Sequence, residues 1–154
     1  MDRAARRRFV SWVDFGELCE RLALKIRDDA QPFDIVVGIA RGGIPAAMVV
    51  ADRLRTHIDF VNIKSYTGVG KRDRPQILST LVENVHGKNV LIVDDLVDEG
   101  DTMETVVGYV GKHVPAVIRT GVLFTKPWSR FKPDYSLEVV DEWIVFPWEL
   151  REFG

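Results

Sequence analysis

The chain has 154 residues with 21 basic and 23 acidic side chains, and its net charge of −2 argues against broad nucleic-acid binding by charge alone. This length predicts one domain over residues 1–154, and no apolar run approaches the roughly 18 residues that a membrane span needs. The basic start lacks the apolar segment of a secretory signal, and the lone Cys19 cannot form an internal disulfide, so we expect a reducing, cytoplasmic location.

Apolar periodicity along the chain predicts alternating helices and strands. Ser11, with Asp14 three residues later, predicts the N-cap of the first helix, and Pro45 suits the first turn of the second. The predicted elements are a helix over about 13–28, a strand over 33–40, a helix over 44–54, a strand over 59–66, a Gly-rich charged loop over 67–75, a short strand over 76–82, a strand over 88–95, a helix over 102–112 and a strand over 116–124. This alternation predicts an α/β fold with a doubly wound, mainly parallel sheet flanked by helices.

Polar clusters follow the predicted strands at four places, namely residues 40–43, 64–74, 94–102 and 125–128. Taken alone, each cluster has an ordinary explanation as a tight turn, a flexible hairpin, a solvated basic loop or a set of acids that caps the next helix. Ligands of doubly wound sheets bind at the carboxyl ends of the strands. The four clusters together therefore predict one site at that edge of the sheet.

The segment VLIVDDLVDEGDTM (90–103) carries five carboxylates within eight positions. Like charges repel, so a bound group that is positive or rich in hydroxyls should meet them. Gly100 and the helix start after it present backbone N–H groups that suit a phosphate, whereas Asp94 and Asp95 suit a ribose diol or Mg²⁺. The segment predicts a sugar-phosphate site, and the absence of a GxxxxGK[ST] motif disfavours an ordinary P-loop.

The same segment resembles the phosphoribosyl-diphosphate motif of type I phosphoribosyltransferases. In that motif a hydrophobic strand leads to two acids, two apolar residues and an Asp-x-Gly-x-Thr phosphate loop. GIARGG is similar to the family's pyrophosphate loop, KSY to the start of its closing loop, and TKP and WIVFPWE to the purine end of the 6-oxopurine enzymes. The resemblance spans roughly residues 10–150, extends to the bacterial xanthine-guanine and hypoxanthine-guanine enzymes, and implies a small C-terminal hood region.

The resemblance implies a transferase that joins hypoxanthine, guanine or xanthine to 5-phosphoribosyl 1-diphosphate with the help of Mg²⁺ and releases pyrophosphate. Asp94 and Asp95 would hold the ribose hydroxyls and, with Glu149, the metal. Asp98 would be the catalytic acid/base at the purine N7. The residues implied to hold the ribose 5-phosphate are Asp98, Glu99, Gly100, Asp101 and Thr102.

The resemblance also implies residues for the pyrophosphate and the base. Arg41 and Gly42 would contact the pyrophosphate through a peptide bond that is often cis in the family. Lys126 would donate to the purine O6, Trp143 would stack on the ring, and the Ile144 carbonyl would read the 2-substituent. The closing loop would begin at Lys64, Ser65 and Tyr66.

Three of these positions admit another interpretation. Trp143 is explained equally well as a core aromatic residue. Most relatives have Thr at the position of Glu99 and often Lys or Gly at that of Asp101. Two carboxylates beside a dianionic phosphate would weaken its binding unless both side chains point to solvent.

A second hypothesis is a regulatory protein of the same fold that senses the donor and binds nucleic acid or a protein partner. Its support is the basic start RAARRR (3–8), which a disordered, solvated tail also explains. A pyrimidine or orotate enzyme is disfavoured by TKP and the Trp143 region. We therefore expect an enzyme of small-molecule substrates that forms a homodimer or homotetramer and binds neither membranes nor nucleic acid.

Overall fold

The computed structural model describes residues 6–64, 67–68, 71–72 and 74–152. Ser65 and Tyr66, predicted to begin the closing loop, lie outside these residues. The elements in chain order are β1 (Arg7–Phe9), α1 (Trp12–Asp28), β2 (Ile35–Ala40), α2 (Ile44–Leu54), β3 (His57–Lys64), β4 (Thr67–Gly68), β5 (Lys71–Arg72), β6 (Gln76–Ile77), β7 (Asn89–Val97), α3 (Asp101–Gly111), β8 (Val117–Thr125), β9 (Tyr135–Val139), β10 (Trp143–Val145) and a 3₁₀ helix (Pro147–Glu152).

The central sheet has six strands in the order β6-β3-β2-β7-β8-β9. Its neighbouring strands run parallel, apart from β6, which is antiparallel to β3. Alternate residues of β2 face opposite sides: Val36 packs with α1 and α2, whereas Ile35 and Val37 pack with α3. Because helices cover both faces, the predicted doubly wound α/β fold is confirmed.

The first two helices begin where the sequence predicts. The Ser11 side chain accepts a hydrogen bond from the Asp14 backbone N–H at 3.1 Å and caps α1. Pro45 occupies the first turn of α2, where its missing N–H leaves no hydrogen bond unmade. Among the residues that the structure describes, no helix is both long enough and apolar enough to cross a membrane.

The chain between β3 and β7 contains less sheet than the sequence predicts. In the predicted loop 67–75, β4 and β5 pair as a two-residue antiparallel ladder. The strand predicted over 76–82 is limited to β6, because side chains satisfy the backbone that follows it. The Tyr109 hydroxyl accepts from the Leu81 N–H at 3.0 Å, and Asp59 accepts from Val82 and Glu83.

Part of the basic start is a strand. β1 pairs in parallel with β10, and Arg6 and Arg8 form ion pairs with Asp141 at 2.9 Å and Glu138 at 2.5 Å. The interpretation of the basic start as a disordered tail is therefore wrong for residues 6–8, since the backbone of β10 and two nearby carboxylates hold them. Together β1 and β10 form a second, two-stranded sheet.

Asp59 on β3 is buried and provides a stability test of this region. Its carboxylate accepts hydrogen bonds from the backbone N–H groups of Phe60, Val82 and Glu83 at 2.8, 2.7 and 2.9 Å. Asp59→Ala leaves these donors unpaired, so the free energy of unfolding should fall by about 2–4 kcal/mol. Urea unfolding measures this change. The exposed Asp52→Ala should change it by less than about 0.5 kcal/mol, and equal effects of the two variants would contradict the assignment.

Candidate active site

A cavity of about 440 Å³ opens at the carboxyl ends of β2, β3 and β7, the edge predicted to bind ligand. It is lined by Ile39, Ala40, Arg41, Gly42, Asn62, Ile63, Asp94, Asp95, Thr102, Trp148 and Glu149. The structure thus brings together predicted residues from the pyrophosphate loop, the acidic pair, the phosphate loop and the C-terminal region. Asn62 and Trp148 were not identified from the sequence.

The turn between β2 and α2 requires glycine because it passes against β7. A Cβ on Gly43 would lie 2.6 Å from the Ile39 carbonyl oxygen and 2.8 Å from that of Val93. A Cβ on Gly42 would lie 2.9 Å from Cγ of Asp95. The Ala40–Arg41 peptide bond is cis, as the resemblance implied. The turn therefore presents its backbone and the exposed Arg41 directly beside the acidic pair.

Asp94 and Asp95 are two adjacent carboxylates at the end of β7. Asp94 accepts from the Asp95 backbone N–H at 2.8 Å, and Asp95 accepts from the Leu96 backbone N–H at 2.7 Å. Burial raises the pKa of Asp94 well above its ordinary value, and the neighbouring charge of Asp95 raises it further. Burial also raises the pKa of Asp95 to about 6. The pair is thus suited to a ligand that supplies positive charge or hydroxyl donors.

Glu149 adds a third acid to this cavity from the C-terminal 3₁₀ helix. Its carboxylate accepts from the Phe146 backbone N–H at 3.1 Å, and its charge contributes to the raised pKa of Asp95. Across the part of the chain that the structure describes, no three His, Cys, Asp or Glu side chains form a complete metal cage. A cation here would take further ligands from substrate or water, as Mg²⁺ commonly does.

The predicted phosphate loop connects β7 to α3. β7 continues to Val97, two residues beyond its predicted end, because Leu96 and Val97 pair with β8. Gly100 then adopts a φ of 109° as the N-cap of α3, a conformation that side chains disfavour. A Cβ there would also lie 2.7 Å from Cβ of Phe131. The first turn of α3 directs backbone N–H groups towards this end of the sheet, which suits an anion.

The segment 128–131 lies along the phosphate loop. The predicted cluster 125–128 included Trp128, but the sequence analysis assigned it no contact with this loop and did not identify residues 129–131. Trp128 Nε1 donates to Oδ1 of Asp98 at 2.7 Å, and the Arg130 backbone N–H donates to the Glu99 carbonyl at 3.1 Å. The Arg130 guanidinium also forms an ion pair with Asp101. The Asp101 carboxylate, which departs from the family pattern, is therefore partly neutralised. An aromatic residue and a cation just after β8 were the available signal, since β8 ends at the same sheet edge.

The predicted purine residues lie beyond the residues that line the cavity. Lys126 is buried, and its ammonium donates to the Glu142 carbonyl oxygen. Burial lowers the pKa of Lys126, while the negative charge of Asp98 acts in the opposite direction. Trp143 is 53% exposed, which does not fit a core aromatic residue. Trp143 and Val145 use their backbone groups to bond β1, so the Ile144 carbonyl points to the opposite edge of β10.

The remaining predicted residues have less defined surroundings. Lys64 ends β3, pairs with Gln76 of β6 and has an exposed side chain. Glu99 is half-buried and Asp98 is exposed. Of the predicted phosphate loop, Thr102 lines the cavity itself. The phosphate loop and the purine residues therefore extend the site along the sheet edge on the side of β8.

A doubly wound sheet with an acidic pair and a glycine-started helix at one strand end defines an α/β enzyme of the class that acts on phosphorylated ribose. Residues 9–152 match the phosphoribosyl transferase domain model, and the chain belongs to this family. The enzyme is a phosphoribosyltransferase, as the motif at residues 90–103 indicated.

Named relatives are similar over nearly the whole chain. A xanthine-guanine phosphoribosyltransferase of Cereibacter sphaeroides is 40% identical over 150 residues, which cover 92% of this chain and 86% of the relative. One from Gluconobacter oxydans is 35% identical over 91% of this chain and 83% of its own. The crystal structure of a purine phosphoribosyltransferase from Pyrococcus horikoshii matches with a TM-score of 0.84 and 32% identity, covering 94% of both chains. The resemblance to the 6-oxopurine branch is thus confirmed.

Replacing both acids of the pair should separate activity from stability. The double variant Asp94→Asn with Asp95→Asn keeps acceptor oxygens but removes the negative charge proposed to bind the ribose hydroxyls and Mg²⁺. Turnover should therefore be lost. A raised folded-state pKa means that the native protein binds more protons than the unfolded chain between about pH 4 and 7. The wild-type free energy of unfolding should therefore fall as pH rises through this window.

Because the double variant lacks these charges, its free energy of unfolding should not fall over this pH range. At pH 7.5 it should be more stable than wild type by on the order of 1 kcal/mol. Urea unfolding at pH 5.0 and 7.5 in the presence of a chelator measures the difference. Asp52→Asn, whose side chain is 78% exposed, is the matched control. Near-normal turnover in the double variant would contradict the assignment of the pair to the ribose. An equal change in the free energy of unfolding between pH 5.0 and 7.5 in wild type and variant would contradict the raised pKa values.

Arg130 should matter for donor binding because it offsets the charge of Asp101. In Arg130→Met the Asp101 carboxylate is left beside the 5-phosphate, so KM for phosphoribosyl diphosphate should rise about 3–10-fold. Adding Asp101→Asn should restore most of the affinity, because the repelling charge is gone. Steady-state kinetics with varied donor measure this, with the remote Arg53→Met as control. Failure of Asp101→Asn to rescue would show that Arg130 acts by another route.

Proposed function

We propose that the protein is a purine-salvage enzyme that joins a 6-oxopurine to 5-phosphoribosyl 1-diphosphate, giving the nucleoside 5-monophosphate and pyrophosphate. The observation that carries this proposal is the carboxyl end of β7, where a buried and a half-buried acid precede, by one short loop, a helix started by glycine. The acids suit a ribose diol and the helix start suits its phosphate. The similarity to enzymes named for xanthine and guanine supports the choice of base.

The donor would lie lengthwise along the edge of the sheet. Asp94 and Asp95 would accept hydrogen bonds from the 2- and 3-hydroxyls of the ribose. The backbone N–H groups of residues 99–102 and the Thr102 hydroxyl would hold the 5-phosphate. Arg41 is exposed next to Asp95 and would face the pyrophosphate. This arrangement places the bond to be broken over the acidic pair.

The donor set also fits Mg²⁺. Asp94, Asp95 and Glu149 offer oxygen ligands, and the raised pKa values of the two aspartates reflect a site where negative charge is crowded. Asp94 and Asp95 would hold the ion together with substrate and water oxygens, and Glu149 would contribute negative charge from the same cavity. When bound, Mg²⁺ would neutralise negative charge on the pyrophosphate.

The reaction transfers the ribose carbon C1 from oxygen to nitrogen. The lone pair on N9 of the base forms the new bond while the C1–O1 bond breaks, and pyrophosphate leaves with the electron pair. Arg41 would offset charge on the leaving group. Asp98 would accept the proton from N7 of the base, which becomes acidic once N9 carries the ribose. A loop beginning at Lys64, Ser65 and Tyr66 would close over the site and exclude competing water.

The base would be recognised at three points. The Lys126 ammonium can donate to a 6-oxo group but cannot accept from a 6-amino group. The half-exposed ring of Trp143 would stack on the purine, a contact worth roughly 1–3 kcal/mol by analogy with single-strand binders. The Ile144 carbonyl, directed away from β1, would accept from a 2-amino group.

Exposure and burial also bear on the oligomeric state and location of the enzyme. We propose a single domain that forms a homodimer or homotetramer, because Phe9, Trp12 and Val13 leave 57, 61 and 71% of their surface exposed at one end of the fold. Cys19 is completely buried and free, which suits a reducing cytoplasm. The alternative regulatory role rested on the basic start, and the pairing of Arg6 and Arg8 within the fold reduces its support.

A base panel with labelled donor tests the proposed function. Hypoxanthine or guanine, and xanthine as a third candidate, should be used and adenine should not. A 6-amino group would leave two donors facing each other, which costs about 1–3 kcal/mol or roughly 5–150-fold in kcat/KM. Lys126→Ala should lose most of this preference, whereas the exposed Lys132→Ala should keep it. Equal use of adenine and guanine by wild type would show that Lys126 does not select the base.

A further inference from the structure

Trp128 contacts both polar groups proposed to read one edge of the purine. Its indole Nε1 donates to Oδ1 of Asp98 at 2.7 Å. The Lys126 ammonium lies 5.6 Å from the centroid of its ring, within the range of a cation–π contact. One half-buried side chain therefore links the proposed N7 acid/base to the proposed O6 donor.

Asp98 needs such a partner because its own surroundings do not fix it. It lies after the last residue of β7 and before the first turn of α3, and it is exposed. An exposed carboxylate samples several rotamers, whereas proton transfer requires it within about 3 Å of the reacting nitrogen. The indole N–H occupies Oδ1 and restricts the carboxylate to rotamers that keep this hydrogen bond, so Oδ2 would be the proton acceptor.

Trp128 is itself held on the phosphate loop by its neighbours. The Ser129 N–H donates to the Lys126 carbonyl at 3.1 Å, which closes a turn around Trp128. The Arg130 backbone N–H bonds Glu99 at 3.1 Å, and Phe131 packs against Gly100. Asp98 is thus supported by a fixed segment rather than by a freely moving ring.

We propose that Trp128 is a positioning residue that sets the spacing of Asp98 and Lys126 to match the N7–H and O6 of a 6-oxopurine. The N7–H form of the base presents a donor beside an acceptor on this edge, and its N9 lone pair is free to attack C1. An acceptor from Asp98 at N7–H and a donor from Lys126 at O6 would favour this form. The inference rests on the roles proposed above for Asp98 and Lys126.

Trp128→Phe tests this inference because it keeps an aromatic ring and removes the N–H donor. kcat with guanine should fall about tenfold, a part of the 10²–10⁴-fold that a general acid/base contributes. KM for phosphoribosyl diphosphate should change less than about twofold, because the backbone contacts of residues 130 and 131 with the loop remain. A large rise in that KM would instead indicate collapse of the loop and overturn the positioning role.

A double-mutant cycle with Asp98→Asn separates the possible failures. If Trp128 acts through Asp98, Trp128→Phe should have no further effect on kcat in the Asp98→Asn background. Additive effects would overturn the inference while leaving the role of Asp98 intact. An Asp98→Asn enzyme with normal kcat would overturn the proposed acid/base role itself.

Tyr135→Phe is the matched control, because it also deletes a hydrogen bond from an aromatic residue to a carboxylate. The Tyr135 hydroxyl donates to Asp29 at 2.5 Å, near the start of β9 and the end of α1, and kcat should be unchanged.

A second readout uses the folded enzyme with Trp128 retained. The indole ¹H–¹⁵N resonance of Trp128 should shift in Asp98→Asn, because the charge on the acceptor is lost, and an unmoved resonance would contradict the contact.

Discussion

The crowding of negative charge at the end of β7 is the constraint on which the site depends. Asp94 is buried and Asp95 is half-buried beside it. Loss of solvent is the first cause of both raised pKa values, and the charge of Asp95 raises that of Asp94 further. Such an arrangement costs stability in the free protein and becomes favourable when hydroxyls and a cation arrive. The β2–α2 turn approaches this strand end so closely that it contains glycines, since side chains there would collide with β7 and with Asp95. These properties support the proposed binding role of the acidic pair.

The phosphate loop shows how tertiary contacts compensate for an unusual local sequence. Two acids, Glu99 and Asp101, lie in the loop proposed to bind the 5-phosphate. In the segment after β8, the Arg130 guanidinium forms an ion pair with Asp101. The Arg130 backbone N–H donates a hydrogen bond to the Glu99 carbonyl oxygen. Both the loop and the segment leave the sheet at its carboxyl edge because β7 and β8 are parallel neighbours. A residue pair 29 positions apart in the chain is therefore adjacent in space.

The C-terminal region depends on the N-terminus for its position. β1 supplies the backbone partners of β10, so the strand that carries Trp143 and Ile144 is held without joining the central sheet. The Lys126 ammonium anchors the same region by donating to the Glu142 carbonyl. The proposed base-binding residues thus come from two segments, at 126 and at 143–144, and β1 from the N-terminus supports the second of them. Phe15, Phe146 and Trp148 pack against one another beneath them, with ring centroids 4.9–6.2 Å apart.

The sequence by itself determined the alternating α/β order, the Ser11 cap, the glycine-started α3 and the acidic pair, because each follows from local periodicity or from residue types a few positions apart. It did not determine the pairing of β1 with β10, the short β6, or the contacts of Trp128 and Arg130 with the phosphate loop. Those depend on strand order and on which side chains meet across the sheet edge. Tertiary structure alone decided these pairings and contacts, because a local sequence pattern does not indicate which distant residues a segment will meet.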